Sequence, residues 1–133
     1  MKVFLSYQQT GVDKKILLKD LQFFREVFDD KNIKNFVYYL DEKEEDDNFY
    51  ICEKVKKEIE KCDLVITYIN HKKRSEGMLL ELGMAYELGK EIKIFINRKY
   101  KDDYLLIYGL TKKENVIFFN EFFEIEEQIK RLV

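Results

Sequence analysis

Proline and tryptophan are absent from this 133-residue chain, and glycine occurs only five times. With no proline and no Gly/Ser-rich stretch, nothing reads as an interdomain linker, so residues 1–133 are expected to form one domain. A lone histidine, His71, cannot make a His-based metal site by itself. It sits beside Lys72, Lys73 and Arg74 in a polar loop, which argues against a Ser-His-Asp triad. The two cysteines, Cys52 and Cys62, have nine residues between them, a spacing that matches no usual zinc or redox motif. They read as reduced thiols of a cytoplasmic protein. No apolar run approaches the ~20 residues of a membrane span, and the chain enters a strand pattern at once, without a visible signal peptide. A net charge of −2 speaks against a nucleic-acid-binding surface. The expected partners exclude membranes and nucleic acids, and no metal or cofactor is implied.

Hydrophobic residues make up 46% and charged residues 38% of the chain, a balance that argues for a packed globular domain. Strand-like runs alternate with helical patterns. Lys2 to Tyr7 is a nearly continuous apolar run suited to a strand covered on both faces. A loop over 10–13 follows, with Asp13 as a helix N-cap. Leu17, Leu21, Phe24 and Phe28 then fall on one helical stripe. Residues 36–40 are expected as a second strand and 41–47 as a solvated acidic loop. Cys52, Val55, Ile59 and Cys62 mark the inner face of a second helix. Leu64 to Ile69 is the most apolar strand, and a helix follows it from about Gly77. Gly89 suits the C′ position of that helix. Residues 92–96 and Val116 to Phe119 complete the strands, 100–108 is a short helix or irregular segment, and Phe122, Ile125, Ile129 and Leu132 line a last helix. This order predicts an α/β fold: one doubly wound, Rossmann- or flavodoxin-like, five-stranded parallel sheet flanked by helices.

Glu81 is the residue to explain. In a helix it shares a face with Gly77, Met78, Met84, Ala85 and Leu88, none of them cationic, whereas Glu87 has Lys90 at i+3. A carboxylate on an apolar stripe costs free energy unless a site requires it. In open α/β sheets the ligand crevice lies beyond the carboxyl ends of the strands, where residues 6–13, 70–77 and 97–101 would meet. Ser75 and Gly77 lie at a helix N-terminus, where free N–H groups favour an anion. The segment after the first strand carries no dinucleotide fingerprint, and no Walker A motif or nucleophile elbow occurs.

The pattern Ser75-x-Gly77-x-x-x-Glu81-Leu82-Gly83-Met84-Ala85-Tyr86-x-x-Gly89-Lys90 resembles that of the nucleoside 2-deoxyribosyltransferase superfamily. The resemblance implies N-glycosidic bond cleavage or transfer on a nucleoside or nucleoside 5′-monophosphate, with Glu81 as the nucleophile on the anomeric carbon. It also implies that Ser75 sits where transferases on free nucleosides carry Asp and the monophosphate N-glycosidases carry Ser. Ser6 matches a phosphate-loop Ser of that hydrolase branch. Ser6, Tyr7, Thr10, Gly11, Asp13, Ser75 and Gly77 are the candidate substrate-binding residues, with Tyr7 and Asp13 as candidate proton donors. Tyr7, Tyr38 and Tyr39 are candidates to stack on a base. The chain departs from the family pattern at Val55, where an Asp is usual, and in a glycine-rich loop reduced to Thr10-Gly11. The family further implies a homodimer. Tyr100, Tyr104 and Tyr108 would form an interface stripe if their segment is helical.

A second resemblance is to Toll/interleukin-receptor (TIR) domains, through Lys2-Val3-Phe4-Leu5-Ser6-Tyr7 and through a catalytic Glu on the helix after the third strand. It implies an NAD-cleaving or signalling domain. TIR domains usually carry Trp or Cys shortly before that Glu, and this chain has Gly77 there instead. A catalytically silent nucleotide-binding or interaction module is the remaining alternative, for which Val55 is the main argument.

Overall fold

The computed structural model describes residues 1–43 and 46–133. Five parallel strands, β1 (Lys2–Tyr7), β2 (Lys34–Phe36), β3 (Leu64–Ile69), β4 (Glu91–Asn97) and β5 (Val116–Phe119), form one sheet in the order β2-β1-β3-β4-β5. Helices α1 (Lys14–Asp30) and α5 (Phe122–Lys130) cover one face, and α3 (Asn48–Lys61) and α4 (Glu76–Glu87) cover the other. A single helical turn, α2 (Tyr38–Asp41), links β2 to the α3 side. This is the flavodoxin-like order, and the chain reverses direction across the sheet between β1 and β3. Among the described residues, no helix is long and apolar enough to cross a membrane.

Coverage on both faces explains why β1 and β3 read as unbroken apolar runs. Leu5, Ile66, Leu21, Phe24 and Ile125 pack beneath α1 and α5, and Phe4, Val65, Ile94, Ile59 and Leu82 beneath α3 and α4. Burying each such side chain contributes roughly 1.5–3 kcal/mol. Asp13 caps α1 as expected, accepting from the backbone N–H groups of Lys15 and Ile16. Gly89 ends α4 at φ +69°, in the left-handed region that favours glycine.

Several expectations need correction. The second strand stops at Phe36, and residues 38–41 turn helical instead. Asp41 accepts from the Val37 N–H at 2.8 Å, closing that turn against an edge strand with only one neighbour. The acidic stretch 41–47 therefore begins inside a helical turn, and its residues 44 and 45 lie outside the described ones. Cys52 is exposed in the opening turns of α3, and Ile51 packs against the core instead. Lys90 does not serve Glu87, because its Nζ donates to the carbonyls of Glu60 and Cys62. The 100–108 segment, expected as a short helix or irregular stretch, holds two 3₁₀ turns, Arg98–Asp103 and Leu106–Leu110, so the helical condition for a tyrosine stripe is not met. Tyr104 is buried there, and Tyr100 and Tyr108 pack on the protein's own core, so the three rings form no free stripe.

Candidate active site

Three consecutive polar side chains stand at the carboxyl end of β1: Ser6, buried against Glu81 and outside the cleft lining, Tyr7 in the lining, and Gln8, buried against the loop before α4. Ser6 is fully buried on the α4 side of the sheet. Its Oγ donates to Glu81 Oε1 at 2.6 Å, although 75 residues separate the two in sequence. Met78, Leu82 and Ala85 seat α4 on the sheet and thereby fix where Glu81 emerges. Burial pushes the Glu81 carboxyl up from 4.5 to about 7, and the Ser6 hydroxyl offsets part of that rise. Glu81 nonetheless opens onto a cleft of about 360 Å³, and it can therefore meet a ligand.

Tyr7, Tyr38 and Tyr39 form the aromatic side of this cleft, with Ile51 and Val55 from α3 as an apolar wall. The turn α2 swings the latter two tyrosines inward. It is held by the Tyr39 N–H, which donates to Tyr7 Oη at 3.0 Å, and by Tyr38 Oη, which donates to Asp46 at 3.0 Å. Burial, followed by the charge of Glu81, pushes the Tyr7 phenol well above its ordinary value, so it keeps its proton. Glu42 and Lys43 stand at the cleft as well; Glu42 accepts from Tyr50 Oη at 3.2 Å and pairs with Lys54 at 3.4 Å.

Ser75 and Gly77 line the cleft at the start of α4. Ser75 is the N-cap residue, and it is buried, but its side chain makes no capping hydrogen bond. The start of this 12-residue helix therefore borders the same cleft as Glu81.

The loop before α4 is locked by Gln8, whose role the sequence reading missed. Its Oε1 accepts from the Asn70 and His71 N–H groups, and the two N–H groups of its Nε2 are shared among the His71 and Lys73 carbonyls and Tyr104 Oη, all within 2.6–2.8 Å. The expected convergence of residues 6–13, 70–77 and 97–101 is real, with Asn97 Nδ2 donating to Asn70 Oδ1 at 2.8 Å. The last segment braces the loop and does not line the cleft. Thr10 and Gly11 are exposed away from the cleft lining, Gly11 at φ +75° beneath the Lys73 side chain, and Asp13 is committed to capping α1. Glu42 carried no sequence signal, being one acid in an acidic run. Gln8 did carry one: an amide directly after a buried strand.

A family model described as nucleoside 2-deoxyribosyltransferase matches residues 3–120. Solved structures share the fold at low identity. A CMP N-glycosidase, BcmB, from Clostridium botulinum aligns over 100% of both chains at 20% identity with a TM-score of 0.74. A conserved protein from Enterococcus faecalis V583 aligns over 100% of this chain and 99% of its own at 16% identity and a TM-score of 0.75. A 2-deoxyribosyltransferase from Bacillus psychrosaccharolyticus aligns over 95% of this chain and 90% of its own at 19% identity and a TM-score of 0.64. No curated protein matches by sequence.

Proposed function

The chain belongs to the nucleoside 2-deoxyribosyltransferase family, and on that premise we propose that it cleaves the N-glycosidic bond of a nucleoside or nucleoside 5′-monophosphate, with Glu81 as nucleophile. The observation that carries this reading is the Glu81 carboxylate itself. It is held by Ser6 rather than by a cation, and it faces an aromatic cleft. Ser6 engages Oε1 and leaves Oε2 for attack on C1′. The C1′–N bond breaks with its electron pair going to the base, and a glycosyl ester forms on Glu81. Water, or a second base in a transferase, then releases the sugar and restores the carboxylate. The anionic carboxylate also stabilises the oxocarbenium-like transition state.

Tyr7 is the better candidate of the two proton donors. Its oxygen accepts from Tyr39 while its own proton stays free for the departing base, whereas the Asp13 carboxylate is occupied by α1. Tyr38 and Tyr39 are placed to stack on that base. Ser75 and the α4 N-terminus would take a 5′-phosphate, which favours the monophosphate among the substrates. Val55, buried in the cleft wall where an Asp is expected, supports the second reading, a module that binds the nucleotide without cleaving it.

A homodimer in the cytoplasm completes the proposal. Leu79 on the outer face of α4 is exposed beside Leu105 and Leu106, an apolar surface that a second subunit would cover. The free thiols of Cys52 and Cys62 suit a reducing compartment.

The test is incubation of the pure protein with deoxynucleosides, ribo- and deoxynucleoside 5′-monophosphates and NAD, with free base measured by chromatography. Base released from a nucleoside or its monophosphate is expected. Binding without release from any of them would favour the silent module, and release from NAD alone would move the activity outside this reading.

A further inference from the structure

Thr67 stands in the middle of β3, fully buried, and its Oγ1 has no hydrogen-bond partner among the described residues. Leaving a buried hydroxyl unsatisfied costs about 1–3 kcal/mol, a cost that valine, of the same shape, would avoid at this position. The register says what lies next to it. Thr67 is the direct partner of Ser6 across β1 and β3, and of Ile94 across β3 and β4. Paired residues of neighbouring strands present their side chains to the same face, about 4.8 Å apart. That face is the one covered by α4, where Val65, Ile69 and Ile94 pack with Met78 and Leu82. The Thr67 hydroxyl thus sits one strand away from the Ser6 hydroxyl that already holds Glu81.

A hydroxyl that donates its one proton can still accept. When Glu81 is ionised, Ser6 must point its proton at Oε1, which leaves the Ser6 oxygen lone pairs open to a donor from behind. We propose that Thr67 is a positioning residue, donating through a small rotamer adjustment to Ser6 Oγ so that a two-hydroxyl relay, Thr67 to Ser6 to Glu81, closes on the charged carboxylate. The relay orients Ser6 as a donor and strengthens its bond to Glu81, because donors in series polarise one another. It supplies negative-charge stabilisation from the sheet side while the cleft side stays free for substrate. Among the described residues, the other ionisable groups lining the cleft are Tyr7 from β1, Tyr38 and Tyr39 from α2, and Glu42 and Lys43 after it, while α3 contributes Ile51 and Val55. None of these changes in the variants below.

The proposal rests on the Glu81 reading for its purpose, but its test does not require turnover. The side-chain carboxyl carbon of Glu81, assigned by its loss in Glu81→Gln, is followed by NMR as pH is raised. Thr67→Val is expected to move the Glu81 midpoint upward by ~0.5 pH unit, about threefold in proton affinity, and Thr67→Ser to leave it near the wild-type value. Ser6→Ala is expected to raise it further, and adding Thr67→Val to Ser6→Ala to change nothing more, since Thr67 acts only through Ser6. An unchanged midpoint in Thr67→Val, or a shift that adds fully to that of Ser6→Ala, would overturn the relay. Should Thr67→Val not fold, Thr67→Ala gives the same readout. A protein that releases no base yet shows the coupled shifts would keep the relay and lose the proposed reaction. Turnover without the coupled shifts would do the reverse.

Discussion

Ser6 Oγ and Glu81 Oε1 lie 2.6 Å apart, joining the end of the first strand to the second turn of α4. Among the described residues, the bond gives the carboxylate one polar partner and no cation. Burial raises the carboxyl to about 7 and the Ser6 bond only partly offsets that rise, which leaves it poised near neutrality.

That poise has a sign in stability. The folded protein holds the Glu81 proton up to about pH 7, whereas an ordinary Glu releases it near 4.5. The resulting stabilisation is fully present below about 4.5 and is lost as pH rises through about 7, by up to ~3 kcal/mol. Glu81→Gln cannot titrate, so its stability relative to wild type should improve by up to that amount between pH 4 and pH 8. Denaturant melts across this range measure it, and a difference that does not vary with pH would contradict the assigned environment. Base release should climb over the upper part of the same window, because only the ionised carboxylate attacks.

Gln8 ties the 70–74 loop to the end of β1 through both ends of its amide. Gln8→Leu keeps the bulk but leaves the Asn70 and His71 N–H groups without that acceptor, and should cost ~2–4 kcal/mol. Hydrogen exchange of those two amides should accelerate more than exchange in the strand cores. Uniform loss of protection across the sheet would mean that Gln8 supports the whole fold rather than the loop.

The succession of strands and helices along the chain could be read from apolar periodicity, because β1, β3 and β5 fall where their runs do, whereas the spatial strand order emerges only from the sheet itself. Glu81 stood out for the same reason: a charge on a stripe of small and apolar side chains. What failed was local. Residues 36–40 have the composition of a strand, but the Asp41 side chain closes a turn that composition cannot display. The 100–108 tyrosines keep a helical spacing in a segment that is 3₁₀, where i and i+4 no longer align. Gln8 and Thr67 matter through partners 62 and 61 residues away, and such pairings exist only once β1 and β3 are in register.

Ser75 lines the cleft without capping its helix. Ser75→Asp puts a negative charge where a 5′-phosphate is proposed to bind, and it should reverse a preference for monophosphates over nucleosides. The ratio of kcat/KM for a monophosphate and its nucleoside measures this. A native protein that prefers the free nucleoside would remove the phosphate from the site.

The central claim is that Glu81 forms a bond to the sugar. A 2-deoxy-2-fluoro substrate analogue slows breakdown of the glycosyl ester, because fluorine destabilises the oxocarbenium-like state, so the adduct accumulates long enough to map by peptide mass spectrometry. The expected result is one sugar-sized mass addition on the peptide carrying Glu81, absent in Glu81→Gln, whose base release should fall at least ~10²-fold, and present in Glu87→Gln, which alters an exposed side chain. An adduct on another residue, or base release by Glu81→Gln at the wild-type rate, would contradict the account.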